Sequence, residues 1–322
     1  MTGHGADLYR TAPGGGPAPD SVLLPGHDVP LGRHTIVRRL LPQRPRRMVG
    51  AWCFVDHFGP GDPAGGGRMA VPPHPHTGLQ TVTWLAAGEI LHRDSLGSVQ
   101  AVLPGQLNLM TSGRGIAHAE HSPAGPPTTM HGLQLWVALP EGARHGAARF
   151  DHYPALPVLP LPGVTVTVVV GELAGVRSPA TAYTPLLGAE AVIAAGGRCT
   201  LPLDAAHEYA VLAMSGAAEV AGAALEPGSL LYLGTGRAEL ALASGPGARL
   251  FVLGGEPFTE SLVMWWNFVA RTHEEVAQAR ADWAAGRRFG AVAGDVGDAL
   301  PAPAMPTTRL KARGRDGLSR PG

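Results

Sequence analysis

The sequence predicts an all-β protein built from two tandem small β-barrels, with one helix near the C-terminus. Three observations carry that expectation. Short apolar runs alternate with turn residues along most of the chain, a pattern of strands and Pro-Gly turns occurs twice, and one late segment alone has helical periodicity. The 322 residues include 45 glycines and 31 prolines, and 45% are hydrophobic. Punctuation that dense suits many short strands and argues against a helical bundle. The length accommodates two domains, each with its own core.

The expected strands, in chain order, include 79–85, 99–103, 106–110, 133–139, 164–170, 209–214, 230–233 and 250–253. Each is a run of about four to eight apolar or alternating residues bounded by turn formers. The segment THEEVAQARADWAA, 272–285, differs. Thr272 stands at an N-cap position, Glu275 follows three residues later, and Val276 and Trp283 have helical spacing, so a helix is expected there.

The repeat supports duplicated barrels. In the first half a strand ends at Gly88, and Pro104-Gly105 precedes a second strand; in the second half Gly216 and Pro227-Gly228 take those places. Residues LPEGARHG and YPALP break the pattern and mark the join. The expected divisions are a disordered start at 1–18, a first barrel at 19–147, a second barrel with the helix at 148–290, and a disordered tail at 291–322.

Composition also excludes function classes. The 25 basic and 25 acidic residues balance, and no basic stripe suggests direct nucleic-acid binding. The start lacks the apolar core of a signal peptide, and no run of about 18 apolar residues suggests a membrane span. Cys53 and Cys199 are far apart and form no CxxC motif, consistent with a reducing cytoplasm. The single lysine, Lys311, lies in the tail, which removes Schiff-base chemistry and a P-loop lysine from the core. There is no GxSxG motif, and HEEV at 273–276 lacks the second histidine of a zinc helix.

One constellation among the 14 histidines carries chemistry. In PPHPHTGLQTVTWL, His74 and His76 are two apart, so on a strand their side chains share a face. Pro75 between them fits a strand start or an edge. In GRGIAHAEHSP, His118 and Glu120 repeat the device. A lone HxH pair is as readily a surface or packing feature; a second pair after a Pro-Gly turn shifts the balance. Three imidazoles and a carboxylate leave an octahedral metal two open positions and suit Fe(II), Mn, Ni or Zn. Counting from the repeated glycines gives Pro202, Asp204, Ala241 and Ala243 at the corresponding places of the second copy, so one metal per chain is expected.

The motifs HPHTGLQTVTWL, LHRDSLG, PGQLNLMTSGRGIAHAE and HGLQLWV, with FVDHFGP before them and WNFVARTHEEVAQA after, resemble those of the pirin family of the cupin superfamily. The resemblance spans most of residues 20–290. It implies two cupin barrels with iron in the first, held by His74, His76, His118 and Glu120; Mn, Ni, Co or Zn are the other metals considered. Thr77, Leu79 and Gln80 replace the Arg, Phe and Glu that many relatives carry. Gln80 is compatible with a site whose carboxylate is Glu120, although the residues around the metal differ. His92 and Asp94 could orient a ligand or simply hold a turn, and His121 and His131 lie near the site in sequence without an assigned role.

The resemblance further implies an Fe(II)-dependent dioxygenase of flavonol-like substrates such as quercetin; a carboxylate in reach of both metal and substrate suits a base, so Glu120 is expected either to accept the substrate's hydroxyl proton or to shift off the metal. Two other expectations stand beside it. One is a metal- and redox-sensitive regulator that binds a protein partner; the other is a zinc hydrolase or lyase.

Overall fold

The computed structural model describes residues 21–31, 35–60, 68–124, 129–295 and 297–316. The start at 1–18, expected to be disordered, lies outside these residues. The chain divides into two compact units, one comprising the chain up to Gly26 with Leu156–Pro257, the other His27–Ala155 with the chain from Phe258 onward. Each unit carries one large antiparallel sheet and one four-stranded sheet, as a cupin barrel does.

The large sheet of the His27–Ala155 unit has the order Arg149–Tyr153, Leu107–Thr111, Leu79–Ala87, His131–Ala138, Trp52–Phe58, Thr35–Leu41, His27–Leu31. Its small sheet runs Ala70–His76, Ile116–His121, Ile90–Asp94, Val99–Val102. The other unit repeats the plan. Its small sheet runs Arg198–Pro202, Glu239–Ala243, Ala218–Val220, Ala223–Leu225, and Val164, Val211, Leu231 and Val252 fill its core. In its large sheet Ser229–Gly234 pairs with Val22–Pro25, where the first plan has Leu107–Thr111 beside Arg149–Tyr153.

The units are therefore drawn differently from the expected division. The strand at 22–25 belongs with the second barrel, and Arg149–Tyr153 belongs with the first. Local patterning shows that a strand exists, while its partner is set by cross-strand packing that sequence spacing does not reveal.

The helix spans His273–Ala284, and the Thr272 side chain accepts from the Glu275 N–H as its cap. Val276 and Ala279 bury its inner face in a cluster with Ala117, Phe268 and Phe289, so the helix packs on the first barrel. The tail is also packed. Met305, Leu310 and Ala312 lie against that cluster, Leu262 and Arg313 exchange backbone hydrogen bonds, and the Arg47 N–H donates to the Arg315 carbonyl at 2.7 Å. Disorder does not hold for 297–316, because scattered apolar residues there find a ready-made surface. No helix among the described residues is long and apolar enough to cross a membrane.

Candidate metal centre

The small sheet of the first barrel brings the two histidine pairs together. His74 stands directly opposite His118 in the antiparallel register, and His76 opposite Ile116. The Ala70–His76 strand is an edge, which suits Pro72, Pro73 and Pro75 because none has an N–H to donate. A register shift follows between His118 and Glu120, where Glu120 faces Val71 across the two prolines. Gly78 turns the chain out of the site with φ +71°. A side chain there would run into the Val269 carbonyl, so the position requires glycine.

The three imidazoles converge, with ring centroids 4.4 Å apart for His74–His118, 4.9 Å for His76–His118 and 5.0 Å for His74–His76. Hydrogen bonds fix how they face. His74 Nδ1 donates to the Pro72 carbonyl at 2.8 Å, and His76 Nδ1 donates to the Asn267 carbonyl at 3.1 Å. Each neutral ring therefore keeps its Nε2 lone pair free. His118 Nδ1 lies 3.4 Å from His92 Nδ1, and His92 Nε2 lies 3.1 Å from Asp94 Oδ2. One assignment satisfies both contacts: His92 donates to Asp94 and accepts from His118, which leaves the His118 Nε2 lone pair as well.

Burial pushes all three histidines down, His74 to about 4 and the other two well below the usual range. They are neutral near pH 7, the form that binds metal. His118 Nε2 is buried with no hydrogen-bond partner. An orphaned buried nitrogen costs on the order of 1–3 kcal/mol, and a bound ion removes that cost. The residues fit a metal.

Ligating atoms within 4.8 Å of one another form two groups, His74–His76–His118 and His92–His118–Glu120, with His118 in both. Glu120 Oε1 accepts from Thr83 Oγ1 at 3.1 Å, and Thr83 Oγ1 lies 3.0 Å from Gln134 Oε1. Burial raises the Glu120 carboxyl above its usual range, against the pull of His92 and Thr83.

The other flagged residues find separate roles. Asp94 both orients and turns: Oδ2 meets His92, while Oδ1 accepts from the Leu96 and Ser98 N–H groups. Gln80 donates to Thr111 Oγ1, Leu79 is fully buried, and the Thr77 carbonyl accepts from the Val269 N–H. His121 meets Asp295 at 2.7 Å, and His131 meets His57 at 3.0 Å. The Cys53 thiol is buried and pushed up to about 12, which removes it as a nucleophile.

A cavity of about 430 Å³ opens beside the cluster, lined by His74, Glu120, Gln134, Phe54, Trp136 and Trp266 among others. Phe54 and Trp136 stack at 4.1 Å, and the Arg39 guanidinium lies 4.4 Å over the Phe54 ring while bonded to both oxygens of Asp56. These wall residues escaped sequence reasoning because they come from strands far apart in the chain. The pairing of Gln134 with Thr83 depends on strand register, which no short motif encodes.

In the second barrel Ala241 faces Thr200, and Glu239 faces Pro202. With Ala241 as the counterpart of His118, the counterparts of His74 and His76 are Thr200 and Pro202. This corrects the expected Pro202 and Asp204 by two residues, because the connection from strand to strand is longer in the second copy. A cavity of about 740 Å³ there is lined in part by Asp204, His207 and Tyr209. Among the described residues no group of three metal donors lies beside it.

Comparison with known proteins gives a consistent picture. The family model described as Pirin matches residues 34–137, and the one described as Pirin C-terminal cupin domain matches 189–290. A Pseudomonas aeruginosa protein with the provisional name quercetin 2,3-dioxygenase is 48% identical over 277 residues, covering 86% of this chain and 88% of its own. Mouse pirin is 33% identical over 255 residues, covering 77% and 86%. A crystal structure of an Acinetobacter baumannii protein titled quercetin 2,3-dioxygenase superposes with TM-score 0.86 at 42% identity, covering 91% of this chain and 97% of that one.

Proposed function

The chain belongs to the pirin family, and from that premise we propose that it is an Fe(II)-dependent dioxygenase of flavonol-like phenols, with the metal held by His74, His76, His118 and Glu120. The observation that carries this reading is the presentation of three neutral imidazole lone pairs, one of them orphaned, beside an aromatic-walled cavity. The names of the Pseudomonas and Acinetobacter relatives support the substrate class.

When bound, the ion supplies a redox centre through which an electron-rich enolate reacts with O2. The protein's own residues do the rest. Phe54 and Trp136 offer flat apolar faces against which a planar ring can stack. Thr83 donates to Glu120 Oε1, and the carboxylate, which lines the cavity, is placed to accept the hydroxyl proton of the phenol. The raised affinity of this buried carboxyl for a proton suits a base. Burial of the whole donor set excludes bulk water and keeps the phenolate reactive. The unpaired Cys53 and Cys199 support a cytoplasmic setting.

The test is oxygen consumption by iron-loaded protein on addition of quercetin. Uptake proportional to bound iron supports the dioxygenase, and no uptake by fully loaded protein removes it. Zinc also suits three histidines, so elemental analysis of the purified protein separates the hydrolase alternative.

A further inference from the structure

Leu300, in the tail beyond the helix, is bonded to two parts of the first barrel at once. Its N–H donates to the Pro73 carbonyl at 2.8 Å, one residue before His74. Its own carbonyl accepts from Trp283 Nε1 at 2.8 Å, on the C-terminal helix. Nearby, Asp295 takes a 2.7 Å contact from His121, at the end of the His118 strand. The tail thus runs along the free edge of the strand that carries His74 and His76. Leu300 lines the same cavity as His74, Glu120 and Trp136, and it packs against the core cluster that includes Val37, Phe58 and Met69, which line that cavity too.

We propose that Leu300 is a specificity-determining residue of the metal cavity, the tail serving as a fixed wall that limits how large a planar phenol can enter. The inference rests on the phenolic-substrate reading above. A wall on a free chain end would yield to a ligand. This one cannot move outward without breaking hydrogen bonds to both the ligand strand and the helix. Its apolar bulk therefore selects against ligands that extend past the space it leaves, as steric specificity pockets do. Leu310 supplies the internal control, since it lies in the same tail and packs near the helix without lining the cavity.

The experiment titrates catechol, with one ring, and quercetin, with three, into the intact protein, Leu300→Ala and Leu310→Ala. Binding is read from tryptophan emission, because Trp136 and Trp266 line the cavity. Leu300→Ala is expected to shift the affinity ratio toward quercetin by roughly threefold or more, while Leu310→Ala leaves it unchanged. An unchanged ratio in Leu300→Ala, an equal shift in Leu310→Ala, or no binding of either phenol by the intact protein overturns the proposal. Oxygen uptake on the same samples separates the two readings. A shifted ratio without uptake keeps the wall and removes the dioxygenase; uptake with an unmoved ratio does the reverse.

Discussion

Asp94 Oδ2 accepts the Nε2 proton of His92 across 3.1 Å, and through His92 this carboxylate reaches the imidazole of His118. The arrangement is a carboxylate–histidine–histidine chain ending at the proposed metal. Phe150 stacks on the His92 ring at 4.3 Å and holds its plane. Asp94 is itself anchored. Burial would raise its carboxyl, but hydrogen bonds from His92 and the Ser98 N–H hold it below the usual range.

Removing His92 should therefore weaken metal binding without removing a ligand. His92→Leu is expected to lower affinity by about 10- to 100-fold, the usual effect of losing an outer hydrogen-bond partner. His92→Gln, which can accept from His118, should recover part of the loss. Competition against a chelator of known affinity measures both. Equal affinity in intact protein and His92→Leu would remove the orienting role and leave His92 as packing.

Glu120 can be a ligand, a base or both, and one substitution separates these. If the carboxylate only balances the charge of the ion, Glu120→Gln weakens metal binding and leaves oxygen uptake per bound iron unchanged. If it also takes the phenolic proton, uptake per iron falls by about 100-fold or more, because an amide cannot accept that proton. The second outcome is expected, given the buried carboxyl beside the cavity with one oxygen held by Thr83. The readout is oxygen consumption with quercetin, normalised to iron measured in the same sample.

The histidine pairs were legible because their two-residue spacing is a local property of strands, and the long motifs around them resemble a known family. The repeat was legible for the same reason. Three things were not. Membership of the 22–25 strand depends on partners about 200 residues away, such as Leu23 opposite Leu231. The division of donors into two groups depends on a register shift at two prolines, which spacing alone does not place. The packed tail contains too few apolar residues to signal a core by itself, and becomes ordered only on a surface that the helix and ligand strand provide together.

Metal stoichiometry should be close to one per chain. In the second barrel the positions facing one another where His74 and His118 stand are Thr200 and Ala241, and Ala243 stands where Glu120 does. The nearby Glu208 carboxylate already accepts from Tyr232 Oη at 2.7 Å. Elemental analysis after reconstitution and desalting checks the expectation. Two tightly held ions per chain would contradict it, and loss of the single ion in His76→Ala would locate it.

The last prediction concerns acid. His57 and His131 face each other at 3.0 Å between Nε2 atoms, away from the proposed ligand set. Burial, then the nearby charges of His131 and Arg38, pushes His57 down to about 3. The folded state thus keeps His57 neutral where the unfolded chain, with histidine near 6.5, takes up a proton. Stability is then present above that unfolded value and is lost as pH falls from about 6.5 toward 3. Between pH 7.5 and 5 this one residue accounts for a loss of about 2 kcal/mol. Glu120, raised rather than lowered, works in the opposite direction at lower pH and offsets part of the decline. Urea unfolding of metal-free protein at the two pH values measures the total decline, to which His74, His76 and His118 add by the same linkage, so the share of His57 is the difference in decline between the intact protein and His57→Phe. His57→Phe should be less stable at pH 7.5, since the 3.0 Å contact between the two rings is lost, yet decline less on acidification. A variant that declines as steeply as the intact protein would show that His57 is not the group responsible.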